Sequence, residues 1–303
     1  MTWFKLVTLD RLRKTTSLFS AASLFVTQST GVALALPTDG QVSAGTVSII
    51  SSARQVDVNQ SSQRAILDWG SFNIGGGETV NFNQPNSSAI SLNRIHDVNP
   101  SRIDGALNAN GQVWLVNSQG IAFGSGARVN VGGLLATSSD ISNGNFMSGD
   151  DAFDEPGDPF ASIFNAGRIH IADRGLAALV GPNVTNGGLI EAMLGKVQLA
   201  SGDVFTLDLY GDGLINLQAS PAITSQLVSN SGTITAGGGQ VLLTAAAAGN
   251  AVSSMVNLDG AVRGDHINVS GDVVGITGTL DTLGAVNGGI NIDARNVSQQ
   301  GTL

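Results

Sequence analysis

The stretch NGGLIEAMLGKVQLASGDVFT, residues 186–206, decides how this chain is read. Gly188, Gly195 and Gly202 each open the same short unit: a glycine, any residue, a branched apolar residue, then alternation. A strand sends successive side chains to opposite faces, so each unit can bury one row of residues and expose the other. The glycine between units lets the backbone turn sharply. Three units spaced by seven close a loop of about 21 residues, within the range of periods that marks repeat architectures.

The unit recurs on both sides of this stretch. It appears upstream as GRIHI at Gly167 and downstream as GLINL at Gly213, GTITA at Gly232, GQVLL at Gly239 and GAVRG at Gly260. It returns as GDVVG at Gly271, GTLDT at Gly278 and GINID at Gly289. A second marker, N-x-G at Asn165, Asn186 and Asn230, has spacings of 21 and 44. Asparagine tolerates turn conformations and can hydrogen-bond along a stack of like residues. The pattern predicts an all-β chain folded as a parallel β-helix with three short strands per coil, each coil burying its neighbour's exposed face. A β-sandwich would produce alternation without the repeated motif.

An open solenoid end needs a cap. Residues 36–100 are expected to form an N-terminal β cap, with strands over Thr46–Ile50, Thr79–Asn83 and Ala89–Asn93. No segment after residue 40 sustains a helical period. Residues 245–251 are expected to form a small-residue strand or corner.

Composition agrees with many turns joining short strands: 40 glycines in 303 residues, 42% hydrophobic and only 5% aromatic. The net charge of -9 is unevenly placed. Residues 1–35 carry Lys5, Arg11, Arg13 and Lys14 against Asp10, and the only later lysine is Lys196. The acidic remainder argues against nucleic acid or an anionic membrane surface as partner. The basic start, the apolar run Leu18–Val26 and the small-residue site Ala33-Leu34-Ala35 read as a signal peptide over 1–35, handled by the general (Sec) export machinery. No other segment approaches the length of a membrane span, so the mature chain is expected to be soluble. With no cysteine, thiol catalysis, disulfides and zinc–cysteine sites are excluded.

Few residues are arranged for chemistry. His96, His170 and His266 are far apart, and the last two alternate within strand-like runs. The acidic stretch Gly149–Pro159 is the best candidate for a hard cation, yet its spacing fits no calcium loop, and it is expected to be a solvated loop projecting between coils. No nucleophile motif or phosphate loop is present. The expectation is a protein that is not an enzyme, with no catalytic residues, no cofactor and no metal.

Residues 68–142 carry linked motifs in a fixed order: W-x-x-F-N-I at Trp69–Ile74, N-R-I at Asn93–Ile95, P-S-x-I-x-G at Pro100–Gly105 and A-N-G-Q-V at Ala109–Val113. An asparagine turn at Asn117–Ile121 and G-x-x-A-x-V-N-V-G-G-L-L-A-T at Gly124–Thr137 complete the series. This resembles the secretion domain of two-partner-secretion exoproteins, the filamentous-haemagglutinin-like family, and is most similar to its high-molecular-weight adhesin branch. The resemblance runs from the signal peptide to at least residue 245. One departure stands out: the family's usual Asn-Pro-Asn-Gly-Ile reads Asn117-Ser118-Gln119-Gly120-Ile121 here, which removes a proline-fixed φ.

The resemblance implies a right-handed parallel β-helix secreted to the cell surface or medium by way of the periplasm. It divides the chain into a secretion domain over 36–245 and further coils over 246–303. It implies as partner an outer-membrane β-barrel transporter with POTRA domains, and adhesion to a host-cell receptor or glycan as the role. The residues singled out for transporter recognition or for the turn are Asn93, Arg94, Asn110, Gly111, Asn117, Ser118, Gln119, Gly120, Ile121, Phe123 and Gly124. A polysaccharide lyase or hydrolase on the same fold, or the secretion domain of a cytolysin or contact-dependent toxin, stands as the alternative.

Overall fold

The computed structural model describes residues 35–207, 215–220, 223, 226–246 and 254–303. Residues 1–34, most of the expected signal peptide, and residues 247–253, most of the expected small-residue strand or corner, lie outside them. The strands stack into three parallel faces. Face I runs from Ser101–Ile103 through Gly120–Phe123, Ser162–Asn165, Asn183–Asn186 and Gln226–Asn230 to Ser254–Leu258. Face II runs from Gln55–Gln60 through Thr79–Asn83, Ala106–Ala109, Arg128–Val131 and Arg168–Ile171 to Leu189–Ala192. Face III joins Arg64–Trp69, Ile90–Ile95, Gln112–Asn117, Gly133–Thr137, Leu176–Gly181 and Lys196–Ser201. The long strands Thr233–Ala245 and Ala261–Ile276 bend from one face to the next. This is the expected three-strand coil. Ser162 lies against Asn183 and Leu176 against Lys196, so 21 or 20 residues complete an uninterrupted turn.

Most inward rows are apolar and buried. Val80, Leu107, Val129, Ile169 and Ile190 follow one another down face II and are all buried. On face I one inward row is polar: the Asn165 side chain donates to Asn186 at 2.8 Å, and Asn186 donates to Asn230 at 2.7 Å. All three are fully buried, so the N-x-G marker is an internal amide ladder. Burying these groups is tolerable because each is hydrogen-bonded.

The structure corrects the sequence reading in three places. The cap is shorter than 36–100: only Gln41–Ala44 and Val47–Ser51 run antiparallel, against Arg64–Trp69 and Gln55–Gln60. Thr79–Asn83 and Ile90–Ile95 are already coil strands. Next, the units at Gly202 and Gly213 leave the solenoid. Val204–Leu207 pairs antiparallel with Ile215–Gln218 and with Ala152–Phe153, forming a small sheet of its own. Glycine plus alternation suits a hairpin as well as a coil, so the local pattern cannot tell them apart. The 44-residue interval between Asn186 and Asn230 therefore spans one coil and this excursion.

The acidic stretch is the third correction: Asp150, Asp154 and Glu155 are exposed in an insertion between coils, as expected, but Asp151 and Phe153 fold back on face III. A single-turn helix, Asn143–Ser148, capped by the Ser142 hydroxyl and ended by left-handed Gly149, brings it there. Asp151 is 5% exposed and pairs with Arg64 at 2.8 Å. Phe153 is fully buried and stacks on Phe205 at 4.5 Å. Together with Trp114, Phe146 and the outward residues Ile66, Leu92 and Leu135, they make a second apolar core outside the barrel of coils.

Candidate functional site

The asparagine turn joins face III to face I. Asn117 ends its strand with its side chain inside, fully buried. The amide nitrogen donates to the Asn99 carbonyl at 3.1 Å and to the Ser101 hydroxyl at 3.0 Å, while the amide oxygen accepts from the Gln119 backbone at 2.9 Å. One side chain thus closes the turn and ties it to the preceding coil. Gly120 has φ +106°, and a β-carbon there would stand 2.5 Å from the Ser162 carbonyl. The position demands glycine for its conformation and for its space. Ser118 is exposed, and its carbonyl accepts from Asp158 at 2.9 Å.

Beside this turn lies a recess of ≈ 350 Å³ lined by Arg94, His96, Asp97, Val98, Ser118, Gln119, Asp140 and Glu155, among others. Arg94 organises its floor. The guanidinium binds Asp140 at 2.6 Å, the Asn143 side chain at 3.0 Å and the Ile141 carbonyl at 2.7 Å, and it lies 3.5 Å from Asp68. Burial opposes the charge on Arg94, but Asp140 and Asp68 outweigh it and hold the pKa above the ordinary value. Asp68 also accepts from Ser43 and bonds His96 at 2.8 Å. Burial raises its pKa, and the hydrogen bonds from Ser43 and His96 with the charge of Arg94 bring it below the usual carboxylate range. Val98 is 83% exposed at the rim.

The structure divides the residues singled out from sequence. Arg94, Ser118 and Gln119 meet at the recess. Asn93 points inward, where it accepts from the Trp69 indole at 3.1 Å and donates to the Trp114 carbonyl at 3.3 Å. Ile121 and Phe123 are fully buried core residues. Asn110 and Gly111 sit at a different corner, between faces II and III. There the Asn110 amide pairs with both backbone groups of Gln84, at 2.7 Å each, and Gly111 donates to the Gln84 side chain at 3.1 Å. Gly124 turns the chain from face I to face II, donating to Ile103 at 2.8 Å. Sequence reasoning missed Asp68, His96 and Asp140, which lie 28 to 72 residues apart along the chain. The one available signal was Arg94 itself, a charge on a strand otherwise buried on both faces.

The family model described as the TPS secretion domain matches residues 33–292, most of the chain. This chain belongs to the TPS secretion-domain family. The sequence is 32% identical over 217 residues to a heme/hemopexin-binding protein of Haemophilus influenzae, covering 67% of this chain and 23% of that protein. A second Haemophilus influenzae protein of the same description is 45% identical over 98 residues, 32% of this chain and 11% of that protein. The chain thus spans less than a quarter of the length of these relatives. Among solved structures, the HMW1 secretion domain from Haemophilus influenzae superposes with TM-score 0.70 at 23% identity, over 88% of this chain and 82% of that one. The filamentous hemagglutinin secretion domain superposes with TM-score 0.50 at 12% identity, over 88% and 98%. These likenesses establish the TPS fold, a right-handed parallel β-helix. The chain is accordingly the TPS domain of a two-partner-secretion exoprotein.

Proposed function

We propose that this TPS domain is the export address of its protein, read in the periplasm by the POTRA domains of an outer-membrane β-barrel transporter. The supporting observation is the segment 112–137. Its four strands are joined by minimal turns, and three of them pair back onto strands Ser101–Ile103, Ala106–Ala109 and Ile90–Ile95 already made. In the extended state such alternating segments suit pairing with an exposed strand edge. Beyond the membrane each new strand finds its partner ready, so coils add in chain order and oppose backsliding. The departure from Asn-Pro-Asn-Gly leaves the turn's closure to Asn117 and Gly120.

The test separates address from fold. Ser118 and Gln119 are the turn's accessible positions, and Ser118→Ala with Gln119→Ala is expected to lower release into the medium severalfold while the melting temperature stays unchanged. Full release of that variant would remove the turn from the address.

For the longer protein we propose a secreted, surface-acting role in adhesion, following the resemblance to the adhesin branch. Heme or hemopexin binding is a second reading, favoured by the 32% identical relative of that description. Titrating the secreted protein with hemin and with hemopexin separates the two. Saturable binding at micromolar or lower concentration supports the second, and its absence alongside binding to host cells supports the first.

A further inference from the structure

The segment that enters the first coil meets a buried carboxylate, Glu78, that has no cation partner among the described residues. Glu78 is 1% exposed. Both of its oxygens accept from the backbone N–H of Ala35, at 3.0 and 3.1 Å, and one also accepts from Gly75 at 2.7 Å. Among the described residues no lysine, arginine or histidine nitrogen stands within ion-pair distance of it. The charged groups on neighbouring segments are Arg54, beside Gly77, and the Arg102–Asp104 pair next to Gly105. An ionised carboxylate held away from water normally carries a paired charge. Here two backbone amides stand in for one.

We propose that Glu78 is the receptor for the α-ammonium group of the processed chain. The inference rests on reading residues 1–35 as a signal peptide cut after Ala35. The two oxygens converge at that boundary, 43 residues away in sequence. Cleavage turns the nitrogen of Leu36, one peptide link from the one now bound, into an ammonium with three donors and a positive charge. Leu36 packs against the core, Pro37 is buried, and the Thr38 backbone donates to the Ser71 carbonyl and accepts from Gly70, so the new terminus is held beside Glu78. Before cleavage, Ala35 offers the site only a neutral amide. Processing therefore completes the first coil, and the cap is tighter in the mature protein than in its precursor.

The experiment uses protein recovered from the periplasm or medium. Its first residue is read by N-terminal sequencing, and its α-amino group is titrated by pH-dependent acylation, in the wild type and in Glu78→Gln. The expected result is a terminus at Leu36 whose amine titrates about one unit or more above the ordinary ~8 and returns to that value in the variant. An intact leader or a terminus elsewhere overturns the signal reading and the proposal with it. The right terminus with the same titration in both proteins overturns the ammonium site alone. Should Glu78→Gln fail to fold, the wild type is titrated folded and in urea. Loss of the shift on unfolding supports the site, and no shift in the folded protein overturns it.

Discussion

Asn186 sits between two other asparagines, accepting from Asn165 and donating to Asn230, and all three are fully buried. Replacing it with alanine leaves one donor and one acceptor stranded, at about 1–3 kcal/mol each before relaxation. Urea unfolding of Asn186→Ala is expected to show a loss in that range, larger than for an exposed asparagine such as Asn83. Gly120 is constrained differently, and Gly120→Val combines strained backbone with a clash against Ser162, so its export defect is expected to come with a lower melting temperature. Asp68 makes the pH dependence. Its carboxyl titrates lower in the fold than in the unfolded chain, so the native state favours the ionised form. The stability it contributes is present above the unfolded value, about 4, and is lost as pH falls below that. Asp68→Asn is expected to flatten the acid limb of the stability curve. An unchanged limb would show that the network with Ser43, His96 and Arg94 is not coupled to folding. At this scale the sequence was legible where a residue's role is local or periodic, as with Gly120 and the N-x-G ladder, and silent where partners are remote, as with Arg94 and Asp140.

The coil is the element that periodicity reveals, because strand alternation and glycine spacing are written within a few residues. The excursions at 138–161 and 202–225 were not legible as such. Their strands alternate like the others, and only the register of Phe153 against Phe205 shows that they pair antiparallel outside the solenoid. What holds them is the second core and the Arg64–Asp151 pair. Arg64 lies over the Phe146 ring at 4.9 Å and bonds the Phe146 carbonyl at 2.7 Å. Burial pushes the Asp151 carboxyl up, against the pull of Arg64, as expected where desolvation rivals the attraction. Removing one partner of such a pair costs about 3–5 kcal/mol, whereas replacing both with apolar residues can be nearly neutral. Thermal unfolding of Asp151→Ala is therefore expected to show a large loss, most of it recovered in Arg64→Leu with Asp151→Leu. Equal losses in both would contradict this account of the clamp.

The whole molecule grows by apposition. Among the described residues, the parallel strands after Ser101–Ile103 rest on ones earlier in the chain, and an antiparallel cap starts the series, an order that suits the proposed export through a pore. The absence of cysteine and the run of short turns suit a chain threaded in extended form. The architecture was legible because a solenoid repeats one local rule. The family was legible only through the linked motifs of residues 68–142, since the recess itself gathers residues from four separate segments. The measurement that tests the central claim most directly is the amount of this protein in the medium, with and without the cognate barrel transporter in otherwise identical cells. The account predicts release with the transporter and periplasmic retention without it. Equal amounts in the medium under both conditions would contradict it.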